Sequence, residues 1–342
     1  MIKLHIYIGI LFLTISCKKE IGPQNVAKDK IGKGEILVLN EGNFGFGNAS
    51  VSKLNPETGE IANNQYRLIN GVGIGDVLQS AKQYKDKYYF VVNNSGKVVV
   101  TDTNLVLDHE ITGFNSPRHI EFFGDKAFVT DLKQGAIYVV DLLSKSILSE
   151  IKTMGWTEDI YCLDSTLYVL DRGDYLTNSD SNYIYSIDPR NDIKLDSIKV
   201  GVNPNSIQLD ADGHLWVLTS GASGSDFPAI SQYNVSSKTL LFQYNFISGS
   251  NPTNLSFCSQ NKRIYFLNNS IFSIHTNGLE SAPTIFYQKQ SENFYGLDVV
   301  QQKLYATNAK NYIQTGDVNI FTLSGEKSNT VSSGLIPSMI IK

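Results

Sequence analysis

Val200-Gly-Val-Asn-Pro-Asn-Ser-Ile-Gln-Leu-Asp-Ala-Asp-Gly-His-Leu-Trp-Val-Leu-Thr219 carries two signatures that recur along the chain. The first is Pro204 with an apolar residue three positions later, Ile207. The second is a short apolar strand in which Trp216 is followed three positions later by a small polar residue, Thr219. This second signature returns as Leu37 and Asn40, Phe90 and Asn93, Phe128 and Asp131, Tyr168 and Asp171, Tyr265 and Asn268, and Tyr305 and Asn308. Successive copies keep close to the period of about 40 to 50 residues that marks four-stranded blades arranged around an axis. The repeat predicts an all-β fold, a seven-bladed β-propeller.

The first signature tells how the ring closes. Pro117 with Ile120 and Pro252 with Leu255 repeat the opening of Pro204, and so does Pro337 with Ile340 at the C-terminal end. That last copy has no further blade to open, while the first unit starts at its second strand, Glu35-Ile-Leu-Val-Leu39. Pro337 to Lys342 is therefore expected to supply the inner strand of blade 1. Closure of this kind removes strand edges that would otherwise be free to aggregate.

The chain has 342 residues, 42% of them hydrophobic, with 18 Tyr, 17 Phe and 27 Gly. One repeat running from residue 34 to the end argues for a single closed domain over 34–342. The formal net charge of −4 gives no basic surface for nucleic acid. Ahead of the repeat, Lys3 precedes an apolar run from Ile6 to Ile15 that is too short to span a bilayer. Residues 1–16 read as a secretory signal peptide. Residues 17–33 begin with Cys17 and continue without apolar periodicity, as a flexible tether does. Cys162 and Cys258 read as small buried hydrophobes rather than a disulfide pair. His109, His119, His214 and His275 are scattered among units, with no spacing that suggests a zinc or catalytic histidine site.

Third strands ending in Asn55, Asp102, Asp141, Asp188 and Asn234 imply tight turns on one face, because these side chains bond nearby backbone. The opposite face carries the loops between second and third strands, long in blades 1, 4, 5 and 7 and short elsewhere. Blades 1 and 7 are neighbours, as are 4 and 5, so the long loops are expected to form two walls with a cleft between them. The candidate ligand-binding residues on these walls are Asn43, Phe44, Phe46, Arg172, Tyr175, Phe227 and Tyr312. Loops opening the blades add Arg118, Trp156 and Tyr295, and strand ends add Asn40, Asn93, Asp131, Asp171, Asn268 and Asn308. Strand-end Asn and Asp also have the alternative of bonding their own backbone. Asp171, Asp174, Asn178, Asp180 and Asn182 offer oxygen atoms to calcium, but their spacing does not match the helix-loop-helix calcium pattern. Aromatic faces with amide and hydroxyl partners suit a large, mostly uncharged ligand, and no cluster of Lys and Arg appears for phosphate.

The unit Val200–Thr219, with its echoes at Pro117 and Pro252, resembles the repeat of YncE-like seven-bladed propellers. Leu13-Thr14-Ile15-Ser16-Cys17 resembles the lipobox of bacterial lipoproteins, in which cleavage leaves a lipid-modified N-terminal cysteine. Together with Glu35-Ile-Leu-Val-Leu-Asn-Glu-Gly-Asn43, these features are similar to surface lipoproteins of the Bacteroidetes. Among these they most resemble the cobalamin-binding propeller that sits over an outer-membrane vitamin B12 transporter. The resemblance implies a lipid-anchored outer-membrane protein that binds cobalamin or a related cobamide, has no other cofactor, and delivers its ligand to a TonB-dependent transporter. The alternatives are a propeller enzyme of lactonase or lyase type and a protein-binding or adhesion platform. The residues three after each blade opening (Ile120, Ile160, Ile207, Leu255, Leu297 and Ile340) are apolar, and no convergent His and carboxylate set is visible in the chain, so the expectation is that the protein is not an enzyme.

Overall fold

The computed structural model describes residues 34–133, 135–173, 182–222 and 226–342. The positions expected to carry the signal peptide and tether, with Cys17, lie outside these, as do Tyr175 and most of the suggested calcium loop. Seven four-stranded antiparallel sheets form the ring. Their second strands are Ile36–Asn40, Lys87–Val92, Lys126–Asp131, Thr166–Asp171, His214–Thr219, Arg263–Asn268 and Lys303–Asn308. Six end on the polar residue of the sequence signature, and in blade 2 Asn93 follows directly. These strands are rich in Val, Ile, Leu and aromatic residues because both of their faces are covered by neighbouring blades.

The covering is visible in the core, which is divided into seven clusters, one at each blade-to-blade interface. Leu37, Leu39 and Val51 of blade 1 meet Leu78, Phe90 and Val99 of blade 2. At the last interface Ile36, Val38, Leu54 and Ile340 meet Tyr305, Val318 and Ile320 of blade 7. Outer strands such as Ser146–Lys152 are mostly exposed and correspondingly polar. The turns after the third strands form as read. The Asp141 carboxylate accepts from the Leu143 amide at 2.7 Å, and the Asn234 side-chain oxygen accepts from the Ser236 and Ser237 amides at 3.0 and 2.9 Å.

Closure occurs as expected: the inner strand of blade 1 is Pro337–Ile341, antiparallel to Ile36–Asn40, with Leu37 opposite Ile341. Gly296 permits the close approach of blade 7 to this strand, since a Cβ there would stand 1.8 Å from the Ser338 carbonyl oxygen. Side chains on the inner strands clasp the next blade round the ring. Asp159 accepts from the Ile207 amide at 2.9 Å, Ser206 from Leu255 at 3.1 Å, Ser256 from Val299 at 2.9 Å and Asp298 from Ile340 at 2.8 Å. One short helix, Gln65–Asn70, was not anticipated from the sequence. At six residues it is too short to show apolar periodicity, and it is secured by Tyr66 in the core and by an Asn70 side-chain bond to the Leu105 carbonyl at 2.8 Å.

Candidate functional site

Six inner strands share an irregularity near their first residues. The register with the second strand shifts between Leu78 and Ser80, Pro117 and Ile120, Thr157 and Ile160, Pro204 and Ser206, Thr253 and Ser256, and Phe294 and Leu297. The seventh shifts at its partner strand, between Leu39 and Asn40. A β-bulge of this kind re-aims side chains that a regular strand would alternate between faces. As a result two consecutive residues of a strand can face the axis: Gln79 and Ser80, Arg118 and His119, Glu158 and Asp159, Asn205 and Ser206, Thr253 and Asn254, and Ser338 and Met339 all line one central cavity of about 1180 Å³. In blade 7, where Gly296 has no side chain, Phe294, Tyr295, Leu297 and Asp298 line it.

The cavity has two unlike sides. Blades 2 to 4 form a charged wall. Arg118 grips Glu158 with two parallel bonds, Nε to Oε2 at 2.9 Å and Nη2 to Oε1 at 2.8 Å, and donates from Nη1 to Gln79 at 2.5 Å. His119 Nε2 lies 3.3 Å from Asp159 Oδ1 and 3.7 Å from Glu158 Oε2. Arg172 Nη1 approaches Glu158 Oε1 at 3.8 Å, and its guanidinium stacks 4.1 Å over the Trp156 ring. At the seam of blades 7 and 1, the Tyr295 hydroxyl donates to Glu41 Oε2 at 2.8 Å. The other side, from blades 5 to 7, is mostly uncharged: Asn205, Ser220, Ser250, Asn251, Asn254, Asn268 and Asn293 present amides and hydroxyls to the same space, with Asp298 as its one carboxyl.

Burial shapes the chemistry of the wall. Glu158 is only 4% exposed, and burial works to raise its carboxyl; the charge and hydrogen bonds of Arg118, helped by His119 and Arg172, outweigh that and hold it below the ordinary range. Burial pushes the Glu41 carboxyl up against the opposing pull of Tyr295 and Arg118, and raises Asp159 against His119. Among the described residues Asp298 has no cationic partner, and burial pushes it up to about 7. The expectation that the chain holds no convergent His and carboxylate set is therefore corrected. His119, Glu158 and Asp159 converge, and the signal was present in the sequence as the two residues between each blade opening and the apolar residue three later.

Of the residues proposed from sequence, Arg118, Arg172, Asn268, Tyr295 and Tyr312 line the cavity, and Trp156 supports Arg172 from behind. Asn40, Asn93, Asp131, Asp171 and Asn308 do not line it; they tie down the loops that open the blades. Asn40 accepts from Ser333 Oγ at 2.8 Å and Asn93 donates to the Pro117 carbonyl at 2.9 Å. Asp131 accepts from the Ser116 amide at 2.7 Å, Asp171 from Met154 at 3.1 Å, and Asn308 from Asn293 at 2.9 Å. Asn43 joins neighbouring loops through a bond to the Tyr312 carbonyl at 2.7 Å. Phe44, Phe46 and Phe227 stand outside the cavity with their rings in solvent, the first two 73% and 77% exposed. The tips carrying Phe44, Phe46 and Phe227 therefore do not form the walls, which come mainly from the inner strands. A further cluster, Asp210, Asp212 and His214, brings its side-chain atoms within 4.8 Å of one another. Asp210 is engaged there by the Trp216 indole at 2.9 Å and by Gln232 at 3.1 Å, bonds that fix the turn of blade 5.

Solved structures share this architecture. A quinoprotein alcohol dehydrogenase-like protein of Bacteroides thetaiotaomicron superposes with a TM-score of 0.69 at 15% identity, covering 92% of this chain and 79% of its own. The periplasmic gluconolactonase of Pseudomonas aeruginosa gives 0.68 at 12% identity, covering 90% and 98%. A putative 6-phosphogluconolactonase of Bacteroides fragilis gives 0.65 at 12%, covering 91% and 99%. At such identities the likeness shows the fold alone. It nevertheless overturns the expectation of a non-enzyme, because that expectation set enzymes aside for a propeller of this kind, and propellers named as lactonases are among its structural neighbours. No curated protein matches the sequence. The family model described as a domain of unknown function, DUF5074, matches residues 33–335, and the chain belongs to that family.

Proposed function

We propose that the central cavity receives a bulky, polar small molecule, and that this molecule is a corrinoid such as cobalamin. The observation that carries this reading is the cavity itself. Its volume of about 1180 Å³ exceeds the roughly 300 to 1,000 Å³ of ordinary ligand sites, and the amide and hydroxyl groups of blades 5 to 7 can pair with amide side arms. Tyr295 and Tyr312, whose rings meet edge to face at 5.8 Å, add a firm aromatic surface at the rim. In this reading residues 1–16 are removed, Cys17 is lipidated at the outer membrane, 17–33 tether the propeller of 34–342, and a TonB-dependent transporter receives the ligand. Calorimetric titration of the purified protein with cyanocobalamin tests the ligand. Saturable binding at micromolar concentration or tighter is expected, and its absence from folded protein removes the corrinoid.

A second reading is favoured by the His119, Asp159 and Glu158 set: turnover of a lactone-like ligand, with His119 moving a proton. Hydrolysis of gluconolactones that is lost in His119→Ala would support it over simple binding.

A further inference from the structure

We propose that Arg172, laid on Trp156, is an anion-recognition subsite of the cavity and takes a carboxylate or phosphate group of the bound molecule. The proposal rests on the reading of the cavity as a ligand site and adds a charge requirement to it. A guanidinium carries five N–H donors in a rigid fork. Arg118 has placed Nε and both terminal nitrogens on Glu158 and Gln79. Arg172 is different. Its nearest anion, Glu158 Oε1 at 3.8 Å, is beyond hydrogen-bond range and already accepts from Arg118 at 2.8 Å. Among the described residues the Arg172 side chain makes no hydrogen bond, although it lines the cavity and is only 26% exposed.

Its orientation is nonetheless fixed. The guanidinium lies 4.1 Å over the Trp156 ring, and two backbone bonds tie the segments together: Arg172 N donates to the Trp156 carbonyl at 2.8 Å, and Trp156 N donates to the carbonyl of the next residue, Gly173, at 2.6 Å. Stacking occupies the flat face and leaves the donor edge for a planar or tetrahedral oxyanion. Two arginines thus share one strongly held carboxylate, while Asp159 is committed to the Ile207 amide and His119. Burial, helped by the charge of Arg118, outweighs the attraction of Glu158 and Asp159 and works against the charge on Arg172, a cost that an incoming anion offsets. The sequence reading found no basic cluster because the two arginines belong to different blades, 54 positions apart in the chain.

Trp156 supplies the readout, since the only other tryptophan, Trp216, is buried in blade 5. The purified protein is titrated at constant ionic strength with inorganic phosphate in one arm and gluconate in the other, with tryptophan emission recorded. A saturable change is expected that disappears in Trp156→Phe. Its midpoint should move up by about tenfold or more in Arg172→Gln, and less in Arg172→Lys, which keeps charge but loses the fork. The arm that saturates at lower concentration identifies phosphate or carboxylate as the preferred group. No saturable change in either arm, or an unchanged midpoint in Arg172→Gln, overturns the proposal. Cyanocobalamin titrations of the same samples separate the two readings. Corrinoid binding without anion binding leaves the cavity reading standing and removes the subsite. Arg172-dependent anion binding without corrinoid binding leaves the subsite and the cavity as a ligand site standing and removes only the corrinoid.

Discussion

At the scale of single residues, Asp298 is a carboxyl whose protonation the fold moves into the neutral range. Its carboxyl receives one hydrogen bond, from the Ile340 amide at 2.8 Å, and has no cation to offset burial, so its pKa is pushed up to about 7. The folded protein therefore binds this proton more readily than the unfolded chain does. The associated stability is fully present below about pH 4 and is lost as pH rises through about 7. Asp298→Asn keeps an acceptor oxygen for Ile340 and removes the titration. Relative to the natural chain it should be progressively more stable as pH rises from about 5 to about 8, a trend that melting curves across that range would reveal. Parallel curves for the two proteins would show that Asp298 carries no such linkage. Glu158 shows the opposite balance, since Arg118 outweighs burial there.

The element scale explains what the sequence could and could not disclose. Second strands were legible because an apolar run such as Lys87–Val92 is buried on both faces and ends at a polar residue with a structural task. Closure was legible because Pro337 and Ile340 repeat the spacing of Pro117 and Ile120. The site was not. Strict alternation gives an inner strand one axis-facing residue in two, whereas the bulge between Thr157 and Ile160 lets both Glu158 and Asp159 line the cavity. Loop length also misled, because the loop of Phe44 and Phe46 adds exposed surface at the rim rather than a wall. The closing strand gives a direct test at this scale. Deleting 337–342 removes the partner of Ile36–Asn40, takes Ile340 out of the last core cluster and exposes a strand edge. Loss of cooperative melting, or a midpoint lower by well over ten degrees, is expected; an unchanged midpoint would mean that the ring closes by another route. Burial of Ile340 and Ile341 alone accounts for about 2 to 5 kcal/mol on the scale of large-to-small core substitutions.

At the scale of the whole molecule, the ring places its termini and its cavity on opposite sides. Ile36–Asn40 runs toward the cavity mouth, where Glu41 follows, so residues before it join the propeller from the face of the tight turns. A lipid on Cys17, as proposed above, would join the propeller by this face. Cys17→Ala should release a folded propeller into the soluble fraction and abolish fatty-acid labelling; label retained in the variant would refute the anchor. The same closure that seals the ring also sets an order of events. Leu37 and Ile341 are neighbours in one sheet but about 300 residues apart along the chain. During synthesis, every other blade can be completed from consecutive strands, while blade 1 must wait for the last segment to emerge. The entropy of joining such distant segments rises only slowly with length, so the finished ring loses little stability by it. The delay falls instead on the kinetics: until Pro337–Ile341 arrives, blade 1 lacks its innermost strand, and the nascent protein carries one open β-edge that only its own C-terminal segment is built to cover.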